Sequence, residues 1–387
     1  MASRDFTELG SRPLNATTAH AAVAFGGPSP EHDVSILTGL QAAHELAGAG
    51  RDVTGLYWTK TGEWFRVDAG LEAVDFVEGV PRAAEGLRLV AGGEGAGFVP
   101  AGGRLGRPRP LMVDVVVNCC HGGPGEDGSL QAALDLAGLA YTGPGVAAAA
   151  LGMDKLAFAG VVGAAGLPAL PRALLGADGA DVGFPGPYIL KPRYGGSSIG
   201  IEVVEDLGTA VGRLGANPHL RRGAVVEPYR PDLFDLNLAV RAWPRPALSA
   251  VERPLRTTPA SEILGYADKY VGGEGMASAP RQVPADVPGP LVSALHDVAR
   301  RVMALTDVRG VARIDFLSDG DTLFVNEVNT IPGSLARYLW VDPPVPFLGL
   351  LDALITEALE RPAVHHSAAG ADGTVLRSAG GIAGKLA

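Results

Sequence analysis

Two apolar runs, each followed by a glycine turn and then by residues with helical spacing, constrain the fold of this chain more than any other feature. Each unit has a predicted strand, turn and helix: 21–25, 26–27 and 31–44 in the first, and 113–117, 121–128 and 129–137 in the second. Strands that alternate with helices are typical of an α/β domain built on a parallel sheet. Between the two units, residues 66–110 have weak periodicity, and we predict short strands and loops inserted in the same domain.

The rest of the chain predicts a mixed set of elements. We expect strands at 188–191, 224–227, 236–243, 247–253, 311–317 and 322–329, and helices at 147–165 and 291–305. With 387 residues the chain exceeds the usual size of a single core, so more than one domain is expected. The predicted fold class is therefore α/β (α+β), with a parallel-sheet α/β domain at the N-terminal end.

Composition and charge exclude several classes of protein. The chain has 54 glycines and 30 prolines, but its recurrent apolar runs and 47% hydrophobic content argue against collagen and against disorder throughout. A net charge of −10 argues against binding nucleic acid or an anionic membrane by bulk electrostatics. The two cysteines, Cys119 and Cys120, are neighbours in an apolar run and cannot join distant segments. No signal peptide or membrane helix is recognisable, and we expect a cytoplasmic protein.

The pair of strands around the Asp319-Gly320 turn carries the strongest chemical signal. Residues two apart on a strand share a face, so the hairpin can bring together four polar side chains: Arg313, Asp315, Glu327 and Asn329. Two carboxylates and an amide oxygen are hard ligands suited to Mg²⁺, and a neighbouring arginine suits a phosphate or a carboxylate. The alternative is an ordinary hairpin with solvated charges.

The register of this hairpin tests the metal hypothesis. A two-residue turn would place Asp315 opposite Phe324, with Glu327 on the other face. A three-residue turn with Gly320 left-handed would pair Arg313 with Glu327 and keep the ligands on one side. The metal hypothesis therefore predicts the longer or bulged turn.

A second set of residues is suited to phosphate and nucleotide. Lys191 ends a strand before a glycine- and serine-rich stretch at 195–200, whose backbone N–H groups could close over phosphates. Lys155 and Lys269 are further candidate donors to phosphate. Glu227 could accept from an adenine amino group, and Asp235 could bind ribose hydroxyls. Each residue alone is more often a solvated surface charge, and the glycine- and serine-rich stretch alone is more often a plain surface turn. Together they supply what a nucleoside triphosphate needs.

The two glycine turns precede helix N-termini, which attract carboxylate or phosphate groups. Glu31 and Ser35 lie at the first helix, and His121 and Glu126 lie in the second turn. Helix capping is the alternative interpretation of these polar residues.

These motifs, in this order, resemble the D-alanine-D-alanine ligase family of the ATP-grasp superfamily. The resemblance covers the chain from about Ala22 to Trp340 and rests on the following segments: 26–35, 121–128, 141–143, 153–155, 190–192, 196–200, 269–270, 313–315 and 326–333. It implies an ATP-grasp architecture with an N-terminal α/β domain at 20–143, a central subdomain at 144–230, a C-terminal subdomain at 231–362 and a flexible tail at 363–387.

The resemblance also implies a reaction. In that family the carboxylate of one D-amino acid attacks the γ-phosphate of ATP, and the amine of a second D-amino acid then attacks the resulting acyl phosphate. The implied role is synthesis of a peptidoglycan precursor, with ATP and two Mg²⁺ ions, or Mn²⁺ in their place, and with a homodimer as the assembly.

Roles for individual residues follow from the matching positions. Lys155, Lys191 and Lys269 would contact phosphates, with Glu227, Asp235 and Asn326 completing the nucleotide site. Asp315, Glu327 and Asn329 would bind the metal ions, and Arg313 with the Gly333 backbone would stabilise the tetrahedral intermediate. Glu31 would hold the first ammonium group in a hydrogen-bonded trio with Ser197 and Tyr270, and His121 would lie near the first carboxylate. Tyr270 favours an amine nucleophile over D-lactate.

The sequence departs from the family pattern after Pro332-Gly333. The family has a threonine and then a serine that binds the carboxylate of the second substrate, whereas Leu335 and Tyr338 stand at those positions here. Ser334, Tyr338 and Leu339 are the residues expected at the second amino acid. The family's ribose carboxylate falls at Phe234, so Asp235 lies one position late.

Two alternatives therefore stand beside a D-alanine-D-alanine ligase. One is a ligase of the same mechanism that uses a different second amino acid in specialised dipeptide synthesis. The other is a non-catalytic nucleotide-binding homologue.

Overall fold

The computed structural model describes residues 14–102, 109–255, 280–363 and 368–379 of the chain. Within these ranges the strands form three sheets, of seven, four and five strands. None of the helices in the described part of the chain is long and apolar enough to cross a lipid bilayer.

The first sheet contains both of the units predicted from the sequence. Its strands are β1 (Ala21–Gly26), β2 (Val53–Trp58), β3 (Trp64–Val67), β4 (Glu85–Val90), β5 (Gly97–Pro100), β6 (Val115–Asn118) and β7 (Ala140–Tyr141). β1 runs parallel to β2 and β6, as strands joined by crossover helices must. The strand order is β5-β4-β3-β2-β1-β6-β7. The predicted parallel arrangement is confirmed for β1, β2, β6 and β7, whereas β3 to β5 extend the sheet in antiparallel fashion. β4 and β5 lie in the predicted insert, and β3 lies at its start.

Helices α1 (His32–Gly48), α2 (Gly123–Glu126) and α3 (Ser129–Ala137) follow the two glycine turns. The predicted bounds of α3 are confirmed. β1 and β6 are entirely buried, because helices cover both faces of a parallel sheet and leave no face for polar side chains. Ser35 joins the two strands at their ends, since its Oγ accepts from the Gly26 amide and donates to Cys119 O, both at 2.8 Å.

The predicted helix at 147–165 is wrong in one respect. The structure has two helices, α4 (Val146–Met153) and α5 (Lys155–Ala164), with Asp154 in extended conformation between them. Asp154 Oδ1 accepts from the amides of Leu156 and Ala157 at 3.0 and 3.2 Å. An aspartate that caps a new helix in this way stops the previous one. The break places Lys155 at the start of α5.

The second sheet is antiparallel and follows α5. It contains β8 (Ala173–Leu174), β9 (Tyr188–Pro192), β10 (Glu202–Val204) and β11 (Ala224–Pro228), with α6 (Leu207–Ala216) packed nearby. The predicted strands at 188–191 and 224–227 are confirmed as β9 and β11, which pair so that Lys191 lies opposite Val225.

The third sheet contains β12 (Phe234–Arg241), β13 (Ala247–Pro254), β14 (Arg281–Gln282), β15 (Val311–Ser318) and β16 (Leu323–Asn329). Helix α7 (Gly289–Leu305) buries Leu291, Leu295, Ala299 and Val302 in the core beneath this sheet. β12 pairs with β15 along its whole length. Strand β15 therefore has a hydrogen-bonded neighbour on each side, β12 on one and β16 on the other.

Helix α8 (Phe347–Glu360) returns to the first sheet. Leu350, Leu354 and Ile355 are buried in one apolar cluster with Val23 of β1 and Leu40 of α1. Leu335 and Leu339, in the segment that leads into α8, belong to the same cluster, as does Val311 of β15. This segment therefore lies against the first sheet and the third sheet. In the tail, α9 (Thr374–Ala379) is a short exposed helix.

Candidate active site

Two adjoining cavities lie between the sheets, and most of the described residues that we predicted to be functional line one or both of them. The first cavity is lined by Glu31, His121, Arg313, Asn329 and Gly333, among others. The second is lined by Lys191, Ile199, Glu227, Tyr229 and Asn326, among others. Six residues belong to both: Lys155, Gly195, Gly196, Asp235, Asp315 and Glu327. The two carboxylates of the hairpin therefore lie at the junction of the cavities.

The hairpin reaches this arrangement through a register that the sequence did not specify. Asp315 pairs with Glu327 and Arg313 with Asn329, so the predicted pairing of Arg313 with Glu327 is wrong. The turn has four residues, 319–322, and the register shifts between Asp315 and Phe316, where Asn326 is the extra residue on β16. The predicted longer or bulged turn is confirmed, and Gly320 has the predicted left-handed conformation, with φ of 105°.

Arg313, Asp315 and Asn329 form one hydrogen-bonded group on the hairpin surface. Arg313 Nε and Nη2 donate to the two carboxylate oxygens of Asp315, each at 2.7 Å, and Asn329 Nδ2 donates to Asp315 Oδ2 at 3.0 Å. Burial lowers the pKa of Arg313, but the Asp315 carboxylate outweighs burial and raises it. Arg313 is therefore a fixed positive charge beside the junction.

The donor set at the junction fits a divalent cation. Asp315 and Glu327 supply carboxylate oxygens, and the amide of Asn329 keeps its oxygen after Nδ2 donates to Asp315. Glu327 Oε2 lies 3.7 Å from Lys155 Nζ, so both carboxylates already face cationic groups. The described residues hold no cluster of three His, Cys, Asp or Glu side chains able to bind a metal. The fit therefore depends on the amide oxygen as the third hard ligand.

Lys155 and Lys191 approach the junction from two different elements. Lys155 Nζ donates to Gly195 O, and its backbone amide donates to Arg193 O at 3.1 Å. Burial lowers the pKa of Lys155, with Glu327 opposing the shift. Lys191 Nζ donates to Glu227 Oε2 at 2.9 Å and to Asn326 Oδ1 at 3.3 Å. Both ammonium groups are thus buried and aimed into the second cavity.

Glu227 is almost fully buried, at 1% exposure, and is held by two cations. Besides Lys191, Arg172 Nε donates to Glu227 Oε1 at 2.7 Å. Burial alone would raise the pKa of Glu227, but Lys191 and Arg172 outweigh burial and lower it. The carboxylate stays ionised on the wall of the second cavity.

Glu31 lies across the first cavity from the hairpin, at the first turn of α1. It does not cap the helix with its side chain. Ser197 Oγ instead donates to Glu31 Oε1 from the loop after β9. The backbone at Ser197 and Ser198 is left-handed, with φ of 54° and 59°. Such strain in residues other than glycine is typical of functional loops.

His121 uses both ring nitrogens within the protein. Nδ1 lies 2.8 Å from Ile331 O and must donate to it, so Nε2 accepts from the Thr38 hydroxyl at 2.7 Å. Thr38 Oγ1 in turn accepts from the Ser334 amide at 3.0 Å. Burial lowers the pKa of His121 to about 4. The neutral imidazole therefore holds the segment around Gly333 in place and also lines the first cavity.

Glu126 makes a second link between the same turn and the hairpin end. Oε2 accepts from the Gly122 amide at 3.0 Å, and Oε1 accepts from the Ile331 amide at 2.9 Å and from Thr330 Oγ1 at 3.2 Å. Burial, with Glu31 nearby, raises the pKa of Glu126 to about 7. Helix capping, the alternative interpretation of Glu126, would explain only its contact with the Gly122 amide.

The residues expected at the second amino acid lie at different depths. The Gly333 backbone lines the first cavity. Tyr338 lies behind Arg313, whose Nη1 is 3.4 Å from the Tyr338 hydroxyl, and the Leu339 side chain is 0% exposed in the apolar core. Ser334, Leu335 and Ala336 are all left-handed, with φ of 50°, 49° and 51°. Leu339 therefore lines neither cavity and presents no accessible surface to a substrate.

Two charged residues that we did not predict also line the first cavity. Glu252 on β13 pairs with Arg281 on β14 at 3.0 Å and accepts from Asn237 Nδ2 at 2.9 Å. The Arg281 guanidinium lies 4.5 Å from the centre of the Tyr338 ring. Neither residue belongs to a local motif, so no sequence signal pointed to them. Arg172 was missed for the same reason.

Two predicted residues lie outside the described part of the chain, namely Lys269 and Tyr270. Their assigned roles stay predictions. Asp235 lies at the start of β12 and lines both cavities.

Comparison with known proteins gives an independent result. Residues 20–144 match the family model described as D-ala D-ala ligase N-terminus, and residues 170–356 match the one described as D-ala D-ala ligase C-terminus. The D-alanine--D-alanine ligase of Bradyrhizobium sp. (strain ORS 278) is 30% identical over 363 residues, which cover 90% of this chain and 98% of that protein. The chain belongs to the D-alanine-D-alanine ligase family. Members of this family are ATP-dependent ligases, and so is this chain.

Further relatives and solved structures agree with this assignment. The D-alanine--D-alanine ligase of Mycobacterium tuberculosis (strain CDC 1551 / Oshkosh) is 31% identical, covering 88% of this chain and 95% of that protein. The fold resembles the D-alanine-D-alanine ligase from Helicobacter pylori, with a TM-score of 0.69, 22% identity, and coverage of 90% of this chain and 100% of that one. It also resembles the VanG D-Ala:D-Ser ligase from Enterococcus faecalis, with a TM-score of 0.71, 23% identity, and coverage of 88% and 99%. These likenesses show an ATP-grasp fold, as the sequence predicted.

Proposed function

We propose that the chain joins two D-alanine molecules into a dipeptide at the expense of ATP, for synthesis of a peptidoglycan precursor. The observation that carries this proposal is the position of Asp315 and Glu327 at the junction of the two cavities. A reaction between a nucleotide and a second substrate needs its metal-binding carboxylates between the two binding sites.

The second cavity is suited to ATP. Glu227 would accept from the adenine amino group, Asp235 would bind the ribose hydroxyls, and Asn326 completes the wall. Lys155 and Lys191, with Lys269 from outside the described residues, would contact the phosphates. Because the chain has a net charge of −10, these buried cations supply the local field that a triphosphate requires.

The first cavity is suited to two amino acids. Glu31, which accepts a hydrogen bond from Ser197, would bind the first ammonium group, and His121 would lie near the carboxylate of that amino acid. Tyr270, which lies outside the described residues, would complete the trio with Glu31 and Ser197. That carboxylate attacks the γ-phosphorus, the bond to the bridging oxygen of ADP breaks, and an acyl phosphate forms. The amine of the second amino acid then attacks the acyl carbon, loses a proton and displaces inorganic phosphate. Arg313 and the Gly333 amide would stabilise the oxyanion of that step.

We propose two Mg²⁺ ions, replaceable by Mn²⁺, at Asp315, Glu327 and Asn329. When bound there they would neutralise phosphate charge during transfer. We also propose the domain bounds 20–143, 144–230 and 231–362 with a tail at 363–387, a homodimer, and a location in the cytoplasm. The free, buried thiols of Cys119 and Cys120 are in keeping with a reducing compartment.

A second candidate function keeps the mechanism and changes the second amino acid. The charged wall of Glu252 and Arg281 beside Tyr338, and the altered segment after Gly333, favour it. One solved neighbour is itself a D-Ala:D-Ser ligase.

A product assay decides between these candidates. The enzyme is incubated with ATP, Mg²⁺ and a panel of D- and L-amino acids, singly and in pairs with D-alanine, and the products are identified by mass spectrometry. D-Ala-D-Ala as the main product supports the first function, and a mixed dipeptide supports the second. ATP binding without amino-acid-dependent ADP release would leave a non-catalytic nucleotide-binding protein.

A further inference from the structure

Arg172 is a buried arginine that contacts three separate elements around the second cavity. Its side chain is 4% exposed. Nε donates to Glu227 Oε1 at 2.7 Å, Nη1 donates to Lys155 O at 2.7 Å, and Nη2 donates to Asn326 O at 3.1 Å. One planar guanidinium thus fixes the relative positions of α5, β11 and β16.

Each of these acceptors belongs to a residue that lines the second cavity. Lys155 begins α5 and reaches the cavity junction with its ammonium group. Asn326 is the extra residue of the bulge, and its carbonyl points to Arg172 while its side-chain oxygen accepts from Lys191. The bulge changes the side to which Glu327 points. Arg172 therefore holds the backbone at the position that directs Glu327 into the junction.

The contact with Glu227 adds an electrostatic effect. Glu227 Oε1 is held by Arg172 and Oε2 by Lys191, so the two oxygens are fixed in orientation. Without Arg172 one cation would remain near a carboxylate that is 1% exposed. Burial would then favour the protonated form of Glu227, and a protonated carboxyl is a weaker hydrogen-bond acceptor for an amino group than a carboxylate is.

We propose that Arg172 is a positioning residue of the nucleotide site, which orients Glu227 as the acceptor for the base and fixes the Asn326 bulge that aims Glu327. This proposal rests on the proposed use of ATP. It predicts that Arg172 controls affinity for the nucleotide and selection of a purine with a 6-amino group, without touching the amino-acid cavity.

The chain offers a matched control for a purely structural role. Arg309 is also an arginine bonded to backbone carbonyls, since it donates to Tyr141 O, Gly143 O and Arg361 O at 2.8 to 3.1 Å. It lines neither cavity. Loss of either guanidinium should lower thermal stability, but only Arg172 should affect nucleotide binding.

The experiment compares R172M, R172K and R309M with the full-length unsubstituted enzyme. KM for ATP, KM for D-alanine and kcat are measured, together with Kd for Mg-ATP by calorimetry, Tm, and kcat/KM for ATP relative to ITP. In R172M we expect KM and Kd for ATP to rise about tenfold or more, with KM for D-alanine within about twofold. The preference for ATP over ITP should fall in the same variant. R172K keeps the charge with fewer aligned donors and should recover part of the loss.

R309M should lower Tm while KM for ATP stays within about twofold. The proposal is overturned if R172M, or R172K where R172M does not fold, raises KM for ATP no more than R309M does. If the proposed function is wrong, the unsubstituted enzyme will form no dipeptide. The role of Arg172 would still be decided in that case, by comparing the Kd for Mg-ATP of the variants and the unsubstituted enzyme by calorimetry.

Discussion

Arg313 and Asp315 stand two positions apart on β15 and are joined by two hydrogen bonds of 2.7 Å each. Their side chains share a face of the strand, so the guanidinium can lie flat against the carboxylate. The same carboxylate lies at the junction of the two cavities and accepts from Asn329. One group therefore serves as the counter-ion of a buried arginine and as a candidate metal ligand.

We predict that D315N abolishes most turnover. An amide is a weaker ligand for a divalent cation than a carboxylate, and its NH₂ group would face the Arg313 donors. We expect kcat for dipeptide formation to fall about a hundredfold or more, measured by ADP release at saturating ATP and Mg²⁺. D321N in the exposed turn of the same hairpin is the control and should keep full activity. Comparable kcat in the two variants would rule out this role for Asp315.

Gly122 is predicted to be irreplaceable for steric reasons. Its φ is 62°, and a Cβ placed on it would lie 2.3 Å from Glu31 Oε2. G122A should therefore displace the Glu31 carboxylate and raise KM for the first amino acid about tenfold or more. The measurement is the dependence of initial rate on D-alanine at saturating ATP.

Gly138 provides the matched control for this prediction. Its φ is 69°, close to that of Gly122, but a Cβ there would meet nothing within 4 Å. G138A should lose about 1 kcal/mol of stability from backbone strain and keep its KM for D-alanine. Equal KM values in G122A and G138A would show that the contact with Glu31 is unimportant.

We predict that S197A weakens binding of the first amino acid more than binding of ATP. The Ser197 hydroxyl donates to Glu31, and its loss leaves that carboxylate less well oriented. We expect KM for D-alanine to rise about three- to tenfold, with KM for ATP little changed. S198A is the control, because Ser198 has the same left-handed backbone but lines the second cavity and not the first. The prediction fails if both substitutions raise KM for D-alanine equally.

The sequence predicted the elements of the site better than their connections. The periodicity of α3, the strands β9 and β11 and the polar residues of the hairpin depend on neighbouring residues, which are visible in a sequence. The register of the hairpin depends on pairing across a four-residue turn and a bulge, and alternation alone does not distinguish these from a three-residue turn.

Residues that act through distant contacts could not be found in this way. Arg172 is 55 positions from Glu227 and 154 from Asn326, and nothing near it in the sequence resembles a motif. The helix break at Asp154 could not be predicted from the sequence either. Asp154 lies within an apolar pattern of helical spacing, and this pattern does not indicate that its side chain caps a second helix. Such contacts depend on tertiary packing, which overrides local propensity.

Glu126 gives a prediction about pH and stability. Its pKa in the folded chain is about 7, above the usual value of 4.5, because of burial and the nearby Glu31. The folded state therefore holds this proton more tightly than the unfolded state. Its contribution to stability is present in full below about pH 4.5 and is lost as pH rises through 7.

The variant E126Q removes this titration. Glutamine has a single oxygen for the three donors from Gly122, Thr330 and Ile331, so E126Q should have a lower Tm than the unsubstituted enzyme at pH 5. The difference in Tm between the two proteins should be smaller at pH 8, because the unsubstituted enzyme must then bury the charge of Glu126 whereas glutamine carries no charge. Thermal unfolding at both pH values measures this change. The control is E94Q, on an exposed loop, whose Tm should differ from that of the unsubstituted enzyme by the same small amount at each pH. If the difference in Tm between E126Q and the unsubstituted enzyme is equal at pH 5 and pH 8, the Glu126 carboxyl does not titrate between these pH values.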